Sequence, residues 1–108
     1  MMFSGAPSTI EDIAGLNIVL EDINDLETEV NDKIIEDEIL SSKKREMYDQ
    51  YCEYIVDTYK KLKKAEDLKV FQGRDEQERI QAGIRTLESV ESKIQYALER
   101  SDALEESD

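Results

Sequence analysis

Carboxylates are the only side chains present in number enough to suggest chemistry: 27 Asp and Glu stand against 14 Lys and Arg, with no His and a single Cys. Without an imidazole there is no His general base, no Ser-His or Cys-His nucleophile pair, and no use of the commonest zinc ligand. Cys52 lies in an apolar stripe and reads as a core residue; one cysteine cannot form an internal disulfide. Acid pairs borne on helices can hold Mg²⁺, and Glu36, Asp37 and Glu38 could approach Glu53 and Asp57. A helical nucleotide hydrolase of that type needs a Glu-Glu-x-x-Glu followed by a Glu-x-x-Asp. Here Glu53 precedes Asp57 by four residues and no doubled Glu accompanies it. In a chain this rich in acids some such cluster arises by chance, so the carboxylates read as solvated faces. The expectation is a non-enzyme, with no catalytic residue, no cofactor and no metal. Gly73 with Arg74 reads as a helix cap, since a lone Gly is no phosphate loop.

The elements that would carry these residues are helical. The 108 residues include only four Gly and one Pro, with 39% hydrophobic and 38% charged residues, too few breakers for a β sandwich and too much apolar content for full disorder. A chain of this length should expose roughly 6,200 Å² once folded, consistent with one domain and one core. Ser8-Thr9-Ile10-Glu11 has the form of a capping box. From there Ile13, Leu16, Leu20, Ile23, Leu26, Val30 and Ile34 step by three or four residues, predicting a helix over 9–40. Glu27 interrupts a strict heptad, so the stripe is expected to drift to Leu26. Ser41 to Glu46 are six polar residues in a row and place a turn there, although one continuous helix competes with it. Tyr48, Cys52, Ile55, Tyr59 and Leu62 form a second stripe, predicting a helix over 42–72. Gln72-Gly73-Arg74-Asp75 with Glu78 ends it and caps a third helix over 76–104, carried by Ile80, Ile84, Leu87, Val90, Ile94 and Leu98. Residues 1–8 and 105–108 are expected to be disordered or frayed tails. The fold class that follows is all-α: an elongated up-down-up three-helix bundle or antiparallel coiled coil, completed by a partner helix or by dimerisation.

Charge is distributed unevenly along these blocks. Residues 1–40 carry 11 acids and one base, 41–74 six acids and nine bases, and 75–108 ten acids and four bases. A basic middle helix between acidic neighbours suits an antiparallel arrangement, with Lys60, Lys61, Lys63 and Lys64 as internal neutralisation. The formal net charge of −13 repels phosphates and anionic lipid surfaces, so direct nucleic-acid and membrane partners are not expected. No apolar run resembles a signal or transmembrane segment, and a cytoplasmic protein is the default reading.

The candidate interaction residues are Glu21, Asp25, Glu29 and Asp32, which share an outer stripe of the first helix, and Tyr51 and Tyr54 on the second. Four tyrosines crowd residues 48–59 and cannot all face one seam; Tyr48 and Tyr59 are expected to close the core edge, Tyr51 and Tyr54 to reach solvent. Asn17, Asn24 and Asn31 repeat at heptad spacing, either as a register-setting ladder or as solvated flank residues, with the flank reading favoured. Together these residues predict an acidic helical interaction module: an adaptor, assembly factor or chaperone-like subunit. Its partner would be a protein with a basic or helical surface, and the chain itself a homodimer or a subunit of a complex. Two alternatives compete, an acidic decoy filling the basic cleft of a nucleic-acid-binding protein and a carboxylate–metal nucleotide hydrolase.

Overall fold

A computed structural model of the chain describes residues 9–35 and 37–106. They form three helices and, among the described residues, no strand: α1 (Ile13–Lys33), α2 (Ser42–Asp67) and α3 (Arg74–Glu106). Cross-helix pairs fix the topology. Asn17 meets Arg79, Asn31 meets Lys93 and Asp37 meets Arg100, so α1 and α3 run parallel with a constant offset. Arg45 meets Asp102, Cys52 meets Gln95 and Glu66 meets Gln81, so α2 runs antiparallel to α3. The result is an up-down-up bundle of 55 × 23 × 19 Å. Its radius of gyration is 15.6 Å, against about 13 Å for a compact chain of this length. The exposed surface, 6945 Å², exceeds the scaling expectation for the same reason, since a rod has more surface than a sphere.

α1 and α2 begin and end where a side chain or a backbone twist satisfies their end groups. Asp12, not the Ser8–Thr9 pair, caps α1: its carboxylate accepts from Gly15 N at 2.8 Å. Thr9 bonds Glu11 outside the helix, and Ser8 lies outside the described residues. The helix stops at Lys33 rather than Leu40 because Ile34 turns to extended backbone. The chain then reverses through Asp37, at φ 57°, a left-handed conformation Asp tolerates. Leu40 is pinned to α3, its N–H donating to Ser101 Oγ at 2.8 Å, and Ser41 caps α2 by accepting from Lys44 N. The polar run 41–46 is therefore the cap and first turn of α2, and the single-helix alternative does not form.

The second boundary also differs from expectation. α2 ends at Asp67 in a Schellman arrangement, with Lys69 N–H bonded to Glu66 O and Val70 N–H to Ala65 O, both at 3.1 Å. The left-handed residue is Lys69, at φ 52°, four positions before the Gly that marks the end in sequence. A lysine held there pays a Cβ penalty that glycine avoids. Lys69→Gly is expected to stabilise the bundle by about 0.5–1 kcal/mol, read as a higher denaturant midpoint with an unchanged slope. Gly73 instead precedes α3, which starts at Arg74.

The core is one continuous cluster. α1 contributes Leu16, Val19, Ile23, Leu26 and Val30, and α3 contributes Ile80, Ile84, Leu87, Val90 and Ile94. Val19 replaces Leu20 at the centre of the α1 stripe, Ile13 is left exposed, and Leu26 is fully buried as the drift of the stripe required. On α2 two seams share Tyr48, Ile55 and Leu62; the buried one continues through Tyr51 and Thr58, leaving Cys52 and Tyr59 on the flank. α3 packs its backbone close to both neighbours because Gly83, Ala97 and Ser101 are small and buried. At Gly83 an added Cβ would lie 2.9 Å from Leu20 Cδ2 and 3.3 Å from Leu62 Cδ1, one atom from each neighbouring helix. α1 and α2 approach less closely, with the Tyr48 and Tyr51 rings stacked at 6.2 Å in the core.

Candidate functional site

Three edges of α1 differ in chemistry. The edge toward α3 carries the amides: Asn31 accepts from Lys93 at 2.7 Å, and Asn17 accepts from Arg79. The heptad amides lie on the flank, as the favoured reading had it, and two of the three, Asn17 and Asn31, bond across to α3 from there. Asn24 stands between them and is exposed.

The edge toward α2 carries Asp22 and Glu29, both half-buried. Burial first, then the charges of Asp25 and Glu21, push the Asp22 carboxyl above its ordinary range, while Lys61 pulls the other way. Its Oδ2 is buried without a hydrogen-bond partner. The folded chain therefore holds this proton to a higher pH than the unfolded chain, and the bundle loses stability as pH rises from 3.8 through that window. Asp22→Asn is expected to raise the melting temperature at neutral pH by about 2–4 °C, roughly 0.5 kcal/mol. The gain should vanish near pH 3, where the parent side chain is already neutral.

The outward edge carries Glu21, Asp25 and Asp32, all exposed, with Ile18 among them. Among the described residues no ion pair engages any carboxylate of α1. Six bases pair with acids outside α1: Arg45 with Asp102 and Glu105, Lys61 with Asp57, Lys63 with Glu66, Arg74 with Glu78, Lys44 with Glu38 and Arg100 with Asp37. Of the neutralisation of α1 expected from the α2 lysines, Lys61 acting on Asp22 is a clear instance. Glu21, Asp25 and Asp32 thus form an acidic face along the outside of α1.

The tyrosines divide differently from the expectation. Tyr51 is 1% exposed and belongs to the core. Its hydroxyl, buried and beside Glu29, is pushed up to about 12. Tyr51 offers no surface to a partner, a correction that follows from the choice of seam on α2. Tyr54 is half-buried, with its hydroxyl also pushed up to about 12, by burial first. Tyr59, expected at the core edge, is instead 36% exposed beside Val56 at 46%. Ile55 and Leu62 fit both seams, so only the packing could decide whether Thr58 or Tyr59 lies inside. Glu29 is the one member of the acidic set turned toward α2.

The carboxylates weighed for metal binding are not brought together. Asp37 is held by Arg100 at 2.8 Å and Glu38 by Lys44 at 2.5 Å, while Glu53 and Asp57 are exposed on α2. Glu36 lies outside the described residues. Among the described residues no group of three His, Cys, Asp or Glu is placed to hold a metal ion. Burial and the nearby carboxylates Glu91 and Asp49 raise the Cys52 thiol, which keeps it protonated and a poor nucleophile. No helix among the described residues is long and apolar enough to cross a membrane.

No protein-family model, curated protein or solved structure matches the chain, so the functional reading rests on this geometry alone.

Proposed function

We propose that the chain is a non-enzymatic interaction module of the cytoplasm, an adaptor, assembly factor or chaperone-like subunit that presents the outer face of α1 to a protein with a basic surface. One observation carries the reading: Glu21, Asp25 and Asp32 share an exposed face, and among the described residues no ion pair engages them. An isolated negative face costs the folded chain self-repulsion and gives it no packing, and its natural use is to steer a cationic partner. The rigid bundle beneath it holds the charges at fixed spacing.

An acidic decoy for a nucleic-acid-binding protein would use the same face and is separated from the module by salt. A decoy that replaces a phosphate backbone loses its target steeply as ionic strength rises, whereas a module that also packs apolar surface keeps most of its affinity. Carboxylate–metal hydrolysis has less support, because Asp37 and Glu38 are already engaged by bases. A thermal melt with Mg²⁺ or Mn²⁺ tests it: binding to the folded state would raise the midpoint with metal concentration, and the interaction module predicts no such rise.

A further inference from the structure

On the side of the bundle away from α1, a groove of about 400 Å³ runs between α2 and α3. Leu87 lies at its floor, and Val56 and Tyr59 line it at 46% and 36% exposure. None of its lining residues comes from α1. Its rims differ in sign: Lys60 stands on the α2 side, Glu88 and Glu91 on the α3 side, and none of the three is in an ion pair among the described residues. We propose that this groove seats a second copy of the chain, related to the first by a two-fold axis along the rod.

Two arguments select that occupant. The first is repulsion. Two rods of charge −13 cannot meet through α1, where unpaired carboxylates would come within a screening length of about 8 Å. Meeting through the α2–α3 groove leaves both α1 faces on the outside, separated by the thickness of two bodies each 19–23 Å across. The second is complementarity. The pairs Arg45–Asp102, Cys52–Gln95 and Glu66–Gln81 set a constant antiparallel register in which Lys60 is level with Leu87, one residue from Glu88. A two-fold axis along the rod lays α2 of each copy over α3 of the other at the same height. Each Lys60 then meets the partner's Glu88, twice by symmetry, with Val56 and Tyr59 closing an apolar seam between them. Such an isologous contact is self-limiting at two copies. It is independent of the role proposed for α1 and leaves that face free, doubled.

Sedimentation equilibrium of the full chain at physiological salt tests the proposal. The expected mass is twice the 12.5 kDa of one chain. Val56→Asp, at an exposed position, should keep the helical spectrum and raise the dimer Kd at least about tenfold. Lys60→Glu and Glu88→Lys should each weaken the dimer, and an equimolar mixture of the two should restore it, because both contacts are then opposite in charge. Mixing distinguishes a contact between copies from one within a chain. A single-chain mass at every concentration, a dimer indifferent to Val56→Asp, or charge variants not rescued by mixing would each overturn the proposal. So would a monomer in which Val56→Asp abolishes binding of a cationic amphipathic peptide, since the groove would then belong to a different partner. Reversal of Glu21, Asp25 and Asp32 should leave the dimer intact, so failure of the α1 reading shows separately.

Discussion

Ile55→Asp is expected to leave the chain unfolded at room temperature. Ile55 is 3% exposed and stands where the two possible seams of α2 coincide, so no rotation of the helix can bring it out to solvent. The change removes about 2–3 kcal/mol of apolar burial and sets an unpaired carboxylate in the core, a penalty of several kcal/mol more. A domain of this size has about 5–15 kcal/mol in total, and a thin rod sits toward the low end. Circular dichroism should show loss of most helical signal and of the cooperative melt. Val56→Asp, one residue along and exposed, is the control: it should melt within a few degrees of the parent. A cooperative transition of Ile55→Asp near the parent temperature would mean that the described core is wrong.

The second large effect concerns the face of α1. Replacing Glu21, Asp25 and Asp32 by Lys changes the charge by two at each position, taking the chain from −13 to −7 without touching the core. Association with a cationic amphipathic helical peptide should slow by about 10- to 100-fold at low salt, and the dependence of its rate on ionic strength should flatten. Helicity should be unchanged. Glu29 is best left out of this set, since it faces α2 beside Tyr51 and its reversal would perturb packing. Replacing Glu53 and Asp57 by Ala should leave the association unaffected.

How much of this was legible in the sequence depends on whether a local signal existed. The three helices were, because the stripes of α1 and α3 have few competitors: Leu16, Ile23, Leu26 and Val30 on one and Ile80 to Ile94 on the other are buried at the expected spacing. The seam of α2 was not, since Tyr48, Ile55 and Leu62 are common to two heptad registers and residue type favoured Cys52 and Tyr59 over Tyr51 and Thr58. Tertiary packing decided between them, placing an amphipathic tyrosine and a small threonine inside. Both turns were misplaced for a related reason: each uses a left-handed residue that is not glycine, Asp37 in one and Lys69 in the other. Leu40 carries the periodicity of α1 yet is buried from a loop, because Ser101 on α3 takes its N–H. The acidic face was visible as charge density. That Lys61 and Lys63 form their ion pairs with acids of their own helix was not.

The central claim is that the outer face of α1, and not net charge alone, engages the partner. Its most direct test compares two variants of equal charge. One reverses Glu21, Asp25 and Asp32; the other reverses Asp49, Glu53 and Asp67, which are exposed on α2. Stopped-flow association with the same cationic helical peptide is followed across a range of salt. The account predicts a slowed rate and a flattened salt dependence for the α1 variant, with the α2 variant close to the parent. Equal losses in the two variants, or a larger loss in the α2 variant, would contradict it.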